Sequence, residues 1–154
     1  MSRLPLTVAV IGGLLTQLSS GVLAQAPPPF VARANVTVAN NSPVPQIVAG
    51  TSVAPFTLLP NQQAQLRMSI VPPPGAVVPG GIVPLRFEYS VGQAPGPRCR
   101  GTIDMSLRTR GSLDADDQIT HCLARSLGTD GARCNIAVSA RNAACVGGLA
   151  FSAR

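Results

Sequence analysis

The chain has 154 residues with 12 arginines, no lysine and six acidic residues, which gives a net charge of +6. Tryptophan is absent and aromatic residues make up 3% of the chain. This disfavours single-stranded nucleic-acid binding, which uses aromatic stacking platforms, so we expect no nucleic-acid partner. An arginine-rich chain without lysine also results from codon bias in a GC-rich genome. The charge alone therefore identifies no partner.

The N-terminal residues have the pattern of a secretory signal peptide. Arg3 precedes a mostly apolar run, Leu4 to Leu18, and a small-residue stretch ends in Ala24-Gln25-Ala26, an A-x-A cleavage pattern. Cleavage after residue 24 is the alternative to cleavage after residue 26. A membrane anchor is disfavoured because no Lys or Arg follows before Arg33, so a stop-transfer flank is missing. The sequence predicts a signal peptide at 1–26, a secreted or periplasmic protein and no membrane span after cleavage.

The mature chain has the size of one domain. Cleavage after residue 26 leaves 154 − 26 = 128 residues, enough to bury a core without help from disulfides. Residues 27–32 start with three prolines and predict an extended leader. Residues 33–154 then form a single β-rich domain.

Alternation of apolar and polar residues predicts β-strands along most of this domain. The pattern is clearest in Gln63 to Val71, Pro84 to Val91 and Cys99 to Thr109, where a period of two indicates a sheet with one solvated face. Weaker patterns predict further strands at 35–39, 46–49, 53–59, 134–140 and 146–153. Seven or eight short strands predict an all-β fold, either a β-sandwich or a small barrel. The N-terminal strands resemble the pattern of many immunoglobulin-like sandwiches, a likeness of general architecture only.

One segment, 114–127, has a different period. Its apolar residues recur at helical spacing: Ile119, Cys122, Leu123 and Leu127. Three aspartates would lie in the first turn, where the helix dipole favours anions: Asp114, Asp116 and Asp117. The sequence therefore predicts one short helix at about 114–127. The alternative is a strand from Ile119 to Leu127, followed by a hairpin turn at Thr129-Asp130-Gly131.

Four cysteines follow the predicted signal peptide: Cys99, Cys122, Cys134 and Cys145. Their spacings of 23, 12 and 11 positions contain no Cys-x-x-Cys, which disfavours a redox pair or a zinc knuckle. An even number in an exported chain predicts two disulfides. Pairing of chain neighbours, Cys99–Cys122 and Cys134–Cys145, is the simplest of the three connectivities. A turn centred at Asn142 weakens the second pair, since it does not place those two cysteines directly opposite each other.

Residues that could carry catalysis are few. His121 is the only histidine, and its neighbour Cys122 suggests a nucleophile–base pair, but adjacent residues on a helix point in different directions. The aspartates at 114–117 fail the EF-hand pattern, because Ile119 and Arg125 occupy the positions of the required Gly and Glu. The sequence thus predicts no catalytic residue, metal or cofactor. The alternative is a small secreted hydrolase that uses Asp residues and His121.

Three arginines share the polar face of one predicted strand: Arg98, Arg100 and Arg108. A solvated sheet face accounts for them, but guanidinium groups also suit carboxylate and phosphate. The segment Pro97-Arg98-Cys99-Arg100, as a loop, could also present an arginine to a protease. Our leading hypothesis is a secreted, disulfide-stabilised, non-catalytic β-sandwich with a binding or structural role. The alternative is an inhibitor or anion-binding protein that uses this arginine face, with a protein or an anionic surface as partner.

Overall fold

A computed structural model describes residues 31–73, 76, 81–108, 118–141 and 144–153. Across these ranges the chain forms nine strands and no helix, which confirms the all-β prediction. The strands are β1 (Ala32–Asn40), β2 (Gln46–Gly50), β3 (Val53–Leu58), β4 (Gln63–Ile70), β5 (Ile82–Val91), β6 (Arg98–Arg108), β7 (Gln118–Thr129), β8 (Arg133–Arg141) and β9 (Ala144–Ser152).

Two sheets pack face to face and form a β-sandwich, one of the two architectures that the sequence predicted. The first sheet has the order β4-β1-β9-β8 and the second the order β3-β2-β5-β6-β7. Neighbouring strands are antiparallel except for β1 and β9, which are parallel. The chain crosses between the sheets four times, at the β1–β2, β3–β4, β4–β5 and β7–β8 connections.

Strict alternation determines which face of each strand is buried. In β5, Val83, Leu85, Phe87, Tyr89 and Val91 are buried, while the residues between them are exposed or half-buried. The other sheet behaves in the same way: Phe151 of β9 is fully buried opposite this layer. Most polar and small strand residues therefore lie on the outer faces of the two sheets.

The predicted helix at 114–127 is wrong over its described part, residues 118–127, which belong to β7. Leu123 and Leu127 point outward and are 40% and 67% exposed, whereas the inward positions hold the smaller Cys122 and Ala124. Apolar residues on both faces of one strand mimicked a helical stripe. The alternative, a strand over 119–127, is confirmed, and residues 114–117 lie outside the described ranges.

The turn after β7 also follows that alternative prediction. Asp130 and Gly131 have φ angles of 55° and 82°, and the Ala132 amide donates to the Thr129 carbonyl at 3.1 Å. Two successive left-handed residues are the mark of the tight Asp-Gly hairpin turn. Here the turn passes the chain from one sheet to the other, because β7 and β8 are edge strands of different sheets.

Both disulfides join one sheet to the other. Cys99 of β6 is bonded to Cys134 of β8, and Cys122 of β7 is bonded to Cys145 of β9, with Cα–Cα distances of 5.9 Å and 5.8 Å. Two disulfides were predicted correctly, but the neighbour pairing was wrong. In the β8–β9 hairpin Cys134 lies opposite Phe151 and Cys145 opposite Ala140. The two cysteines thus lie near opposite ends of the hairpin, out of reach of each other.

The other neighbour pair fails for the same reason. In the β6–β7 ladder Cys99 lies opposite Gly128, and Cys122 lies opposite Met105. Six residues of extended strand separate these two positions along the ladder, a distance of about 20 Å. Each cysteine side chain points inward, so its partner is found across the sandwich rather than along its own sheet.

Candidate functional site

The predicted arginine face lies on the outer side of the five-stranded sheet. Arg98, Arg100 and Arg108 all belong to β6 and point away from the buried Cys99 and Leu107. Eight extended residues separate Arg100 from Arg108, which places their Cα atoms about 27 Å apart. The strand thus holds two of the three arginines at one end and the third at the other.

An ion pair lies between the two ends of this row of arginines. The Arg86 Nε atom on β5 lies 2.7 Å from the Asp104 Oδ1 atom on β6, between the two ends of the arginine row. The hydrogen bond with Asp104 and the charge of its carboxylate raise the pKa of the Arg86 guanidinium. The centre of the face is therefore already neutralised, and one anion cannot contact Arg100 and Arg108 together.

The protease-bait form of the inhibitor hypothesis is wrong, because the segment around Arg98 is not a loop. Arg98, Cys99 and Arg100 are strand residues, paired with β5 on one side at Cys99 and Arg100 and with β7 on the other at all three. The Arg98 Nε atom also donates to the Thr129 hydroxyl at 3.2 Å. A protease would need this backbone free and extended, but both of its edges are already hydrogen-bonded within the sheet.

A further arginine, Arg125, lies on the same outer face, because residues 118–129 form a strand and not the predicted helix. Arg125 of β7 lies opposite Thr102 of β6, and Leu127 lies opposite Arg100. Arg100 and Arg125 are thus diagonal neighbours, about 8 Å apart. Alternation in β7 was the signal that could have predicted this proximity, but the two outward leucines obscured it.

Of the residues that the hydrolase hypothesis uses, the structure describes His121 and Cys122 but not the aspartates at 114–117. His121 is exposed on the outer face of β7, opposite Ser106, and Cys122 is bonded to Cys145, so it has no thiol to act as a nucleophile. The aspartates at 114, 116 and 117 lie outside the described residues. Within the described part of the chain, no group of three or more His, Cys, Asp or Glu residues could hold a metal ion.

A shallow open depression of about 290 Å³ lies on the opposite side of the sandwich, on the outer face of the four-stranded sheet. Small side chains form most of it, with amide side chains at its ends: Thr37, Ala39, Gln63, Asn135, Ala137, Gly148, Leu149 and Ala150. The Gln65 amide donates to the Thr37 hydroxyl at 2.6 Å on the same face. The depression can accept a side chain of a partner, but it is too open to enclose a small molecule.

Comparison of the chain with protein-family models, with curated proteins and with solved structures finds no match. Among the described residues, no helix has the length and apolar character needed to cross a membrane.

Proposed function

We propose that this protein is an exported, non-catalytic β-sandwich with a binding or structural role, which two disulfides stabilise. The observation that carries the proposal is the disulfide pair itself: each bridge joins the two sheets and all four cysteines are used. Disulfides persist in oxidising compartments and are rare in the cytosol. The signal-peptide pattern at 1–26 supports the same compartment independently.

The distribution of reactive groups supports binding over catalysis. The described acidic residues are Glu88, Asp104 and Asp130; Asp104 is paired with Arg86, and Asp130 lies in the turn before β8. General acid–base catalysis needs titratable groups that converge on one substrate position. These residues and His121 are instead spread over an open sheet face and a turn. The outer faces of the sheets remain as the surfaces with which the protein would act.

Processing of the N-terminus tests the export part of the proposal. The full chain is produced in a bacterium with a periplasm, and the intact mass of the recovered protein is measured. We expect the mature chain to start at Gln25 or Pro27. A double variant, Ala24→Leu and Ala26→Leu, is the control, because it removes the small residue before each cleavage point and should keep the longer chain. A wild-type protein that retains Met1 would overturn the proposal.

A further inference from the structure

Three arginines from three different strands lie together on the outer face of the four-stranded sheet. Arg33 of β1 and Arg141 of β8 both lie directly opposite Ala144 of β9, one on each side. Their Cα atoms are therefore about 10 Å apart. Arg67 of β4 lies opposite Asn35, two residues along β1 from Arg33, which is a separation of about 8 Å. We call these three residues the arginine triad.

The burial pattern shows that the triad points to solvent. Ala32 and Ala34 on either side of Arg33 are buried, and Leu66 and Met68 on either side of Arg67 are buried as well. Arg33, Arg67 and Arg141 are all exposed. None of the three guanidinium groups has a hydrogen bond or ion pair within the described part of the chain. The described residues therefore leave all three guanidinium groups available to an anion.

No acidic residue occupies an outward position in the strands of this sheet. The outward positions of β1, β4, β8 and β9 contain neither Asp nor Glu, and a fourth arginine, Arg133, lies at the far end of β8. By contrast, the outer face of the other sheet carries Glu88 and Asp104. Arg33 lies about 8–10 Å from each of the other two arginines, so these positive charges repel each other, and in water the repulsion is screened only over about 8–10 Å. A bound carboxylate would relieve it.

The rest of the face indicates what kind of partner fits. The depression of about 290 Å³ begins two residues further along β1 from Asn35, at Thr37. The outward positions of these four strands hold no aromatic residue and nothing apolar larger than Val146. A membrane surface is bound through larger apolar or aromatic side chains, and sugar rings are stacked on aromatic ones. A flat polar face with arginines and one depression instead suits another protein.

We propose that this face docks an acidic segment of a partner protein, whose carboxylates pair with Arg33, Arg67 and Arg141 while one of its side chains enters the neighbouring depression. The inference rests on the proposed binding role and gives it a surface and a partner chemistry. Arginine is suited to the task because its planar guanidinium group donates hydrogen bonds to both oxygens of a carboxylate. Successive arginines across the sheet require carboxylates about 8–10 Å apart, a spacing that alternate residues of an extended acidic segment, about 7 Å apart, approach.

Two charge-matched triple variants test the proposal with a decameric glutamate peptide as the probe. One variant has Arg33→Ser, Arg67→Ser and Arg141→Ser; the other has Arg98→Ser, Arg100→Ser and Arg108→Ser. Calorimetry at low salt should show about a tenfold loss of affinity for the first, as three weak ion pairs together provide, and about a twofold loss at most for the second. Equal losses would overturn the docking face, since binding would then follow net charge alone.

A variant without any charge change tests the depression. Gly148 lies on this face, and a Cβ atom there would meet no atom closer than the Thr37 carbonyl at 3.8 Å, so Gly148→Leu should fold and fill the space. We expect weaker peptide binding by about threefold or more, a loss that a diffuse positive field does not explain. Unchanged binding in a variant whose circular dichroism matches the wild type would contradict the depression's part in docking.

The choice of a protein partner is tested with phosphatidylglycerol vesicles as a second probe. We expect vesicle binding to fall equally in the two triple variants, because nothing on the triad face enters a bilayer. If only the triad variant lost vesicle binding, the partner of this face would be an anionic membrane and not an acidic protein. Neither result bears on N-terminal processing, so failure of this inference and failure of the proposed function are told apart.

Discussion

Tyr89 and Gly101 illustrate how a single close approach determines a residue in this fold. They lie opposite each other in the β5–β6 ladder, and a Cβ atom at position 101 would collide with the Tyr89 ring and the Arg125 carbonyl oxygen. The Tyr89 hydroxyl donates to that same carbonyl at 3.1 Å. Glycine thus lets the phenol ring cross above β6 and bond to β7, which links three strands through one side chain.

The environment of Tyr89 gives a prediction that one spectroscopic titration can check. Burial raises the pKa of the phenol, and a hydrogen bond with Ser126 lowers it by less. Tyr89 is the only tyrosine and the chain has no tryptophan, so the absorbance of tyrosinate reports this residue alone. We expect its midpoint in the folded protein to lie above that in guanidinium, where it should be about 10. Coincident midpoints would contradict the buried position.

The direction of the linked stability change follows from the same shift. Between about pH 10 and the folded-state pKa, the unfolded chain has lost the phenolic proton, whereas the folded chain keeps it. The free energy of unfolding contributed by this group is therefore complete below that pH and falls as the pH rises through the folded-state pKa. A Tyr89→Phe variant has no such group and should not show this part of the decline.

At the scale of elements, the ends of β1, β2 and β3 are tied together by a buried polar cluster. The Asn40 side-chain amide donates to the carbonyls of Val44 and Leu58, both at 3.0 Å. Its oxygen accepts from the Ser42 amide at 3.0 Å and the Ser42 hydroxyl at 2.6 Å, and Gln46 donates to that hydroxyl at 3.1 Å. All three side chains are buried, so each depends on the others for its hydrogen bonds.

Replacement of Asn40 should therefore lower the free energy of unfolding more than replacement of its neighbour Asn41. We expect Asn40→Ala to lower the free energy of unfolding by about 2 kcal/mol, because the Leu58 carbonyl loses its donor in a buried position. Asn41→Ala is the matched control: its side chain is exposed and its backbone amide, which donates to the Phe151 carbonyl at 2.8 Å, is retained. Urea unfolding measures both, and equal effects would mean that the cluster is not satisfied as described.

Elements differ in how far the sequence could predict them. β4, β5 and β6 were predicted within two residues at each end, because each buries one face and alternates strictly. β7 was only the alternative prediction, after the helix, because an edge strand that keeps leucines on its outer face breaks that rule. The arginine triad could not be predicted at all. Arg33, Arg67 and Arg141 are far apart in the chain, and only the register of β1, β4, β8 and β9 brings them together.

At the scale of the whole molecule, the two disulfides act between layers rather than within them. They close chain separations of 35 and 23 residues, and in the loop-entropy description each would stabilise the fold by roughly 3–4 kcal/mol. Both bridges lie on the side of the sandwich that is formed by the edge strands β7 and β8 and their neighbours β6 and β9. The connectivity was not predictable from the sequence because it depends on that sheet crossing, which a pattern of buried and exposed positions does not contain.

The absence of lysine makes this connectivity directly measurable. Trypsin cleaves the chain only after arginine, so each cysteine falls in a peptide of its own: 99–100, 111–125, 134–141 and 142–154. Digestion of the unfolded, non-reduced protein below pH 7, where thiolate is scarce and exchange is slow, preserves the native bridges. We expect the dipeptide 99–100 to be linked to 134–141, and 111–125 to 142–154.

Any other disulfide pairing would give linked peptides of different mass. Linkage of 99–100 to 111–125, with 134–141 joined to 142–154, would mean that neighbours pair after all. β6 and β7 would then have to slide by about six residues, since Cys99 and Cys122 are that far apart in the present ladder. An even slip of this size keeps inward side chains inward, but it would remove Met105 from its place opposite Cys122 and separate the Tyr89 hydroxyl from the Arg125 carbonyl. The peptide map and the tyrosine titration therefore test the same register from two independent directions.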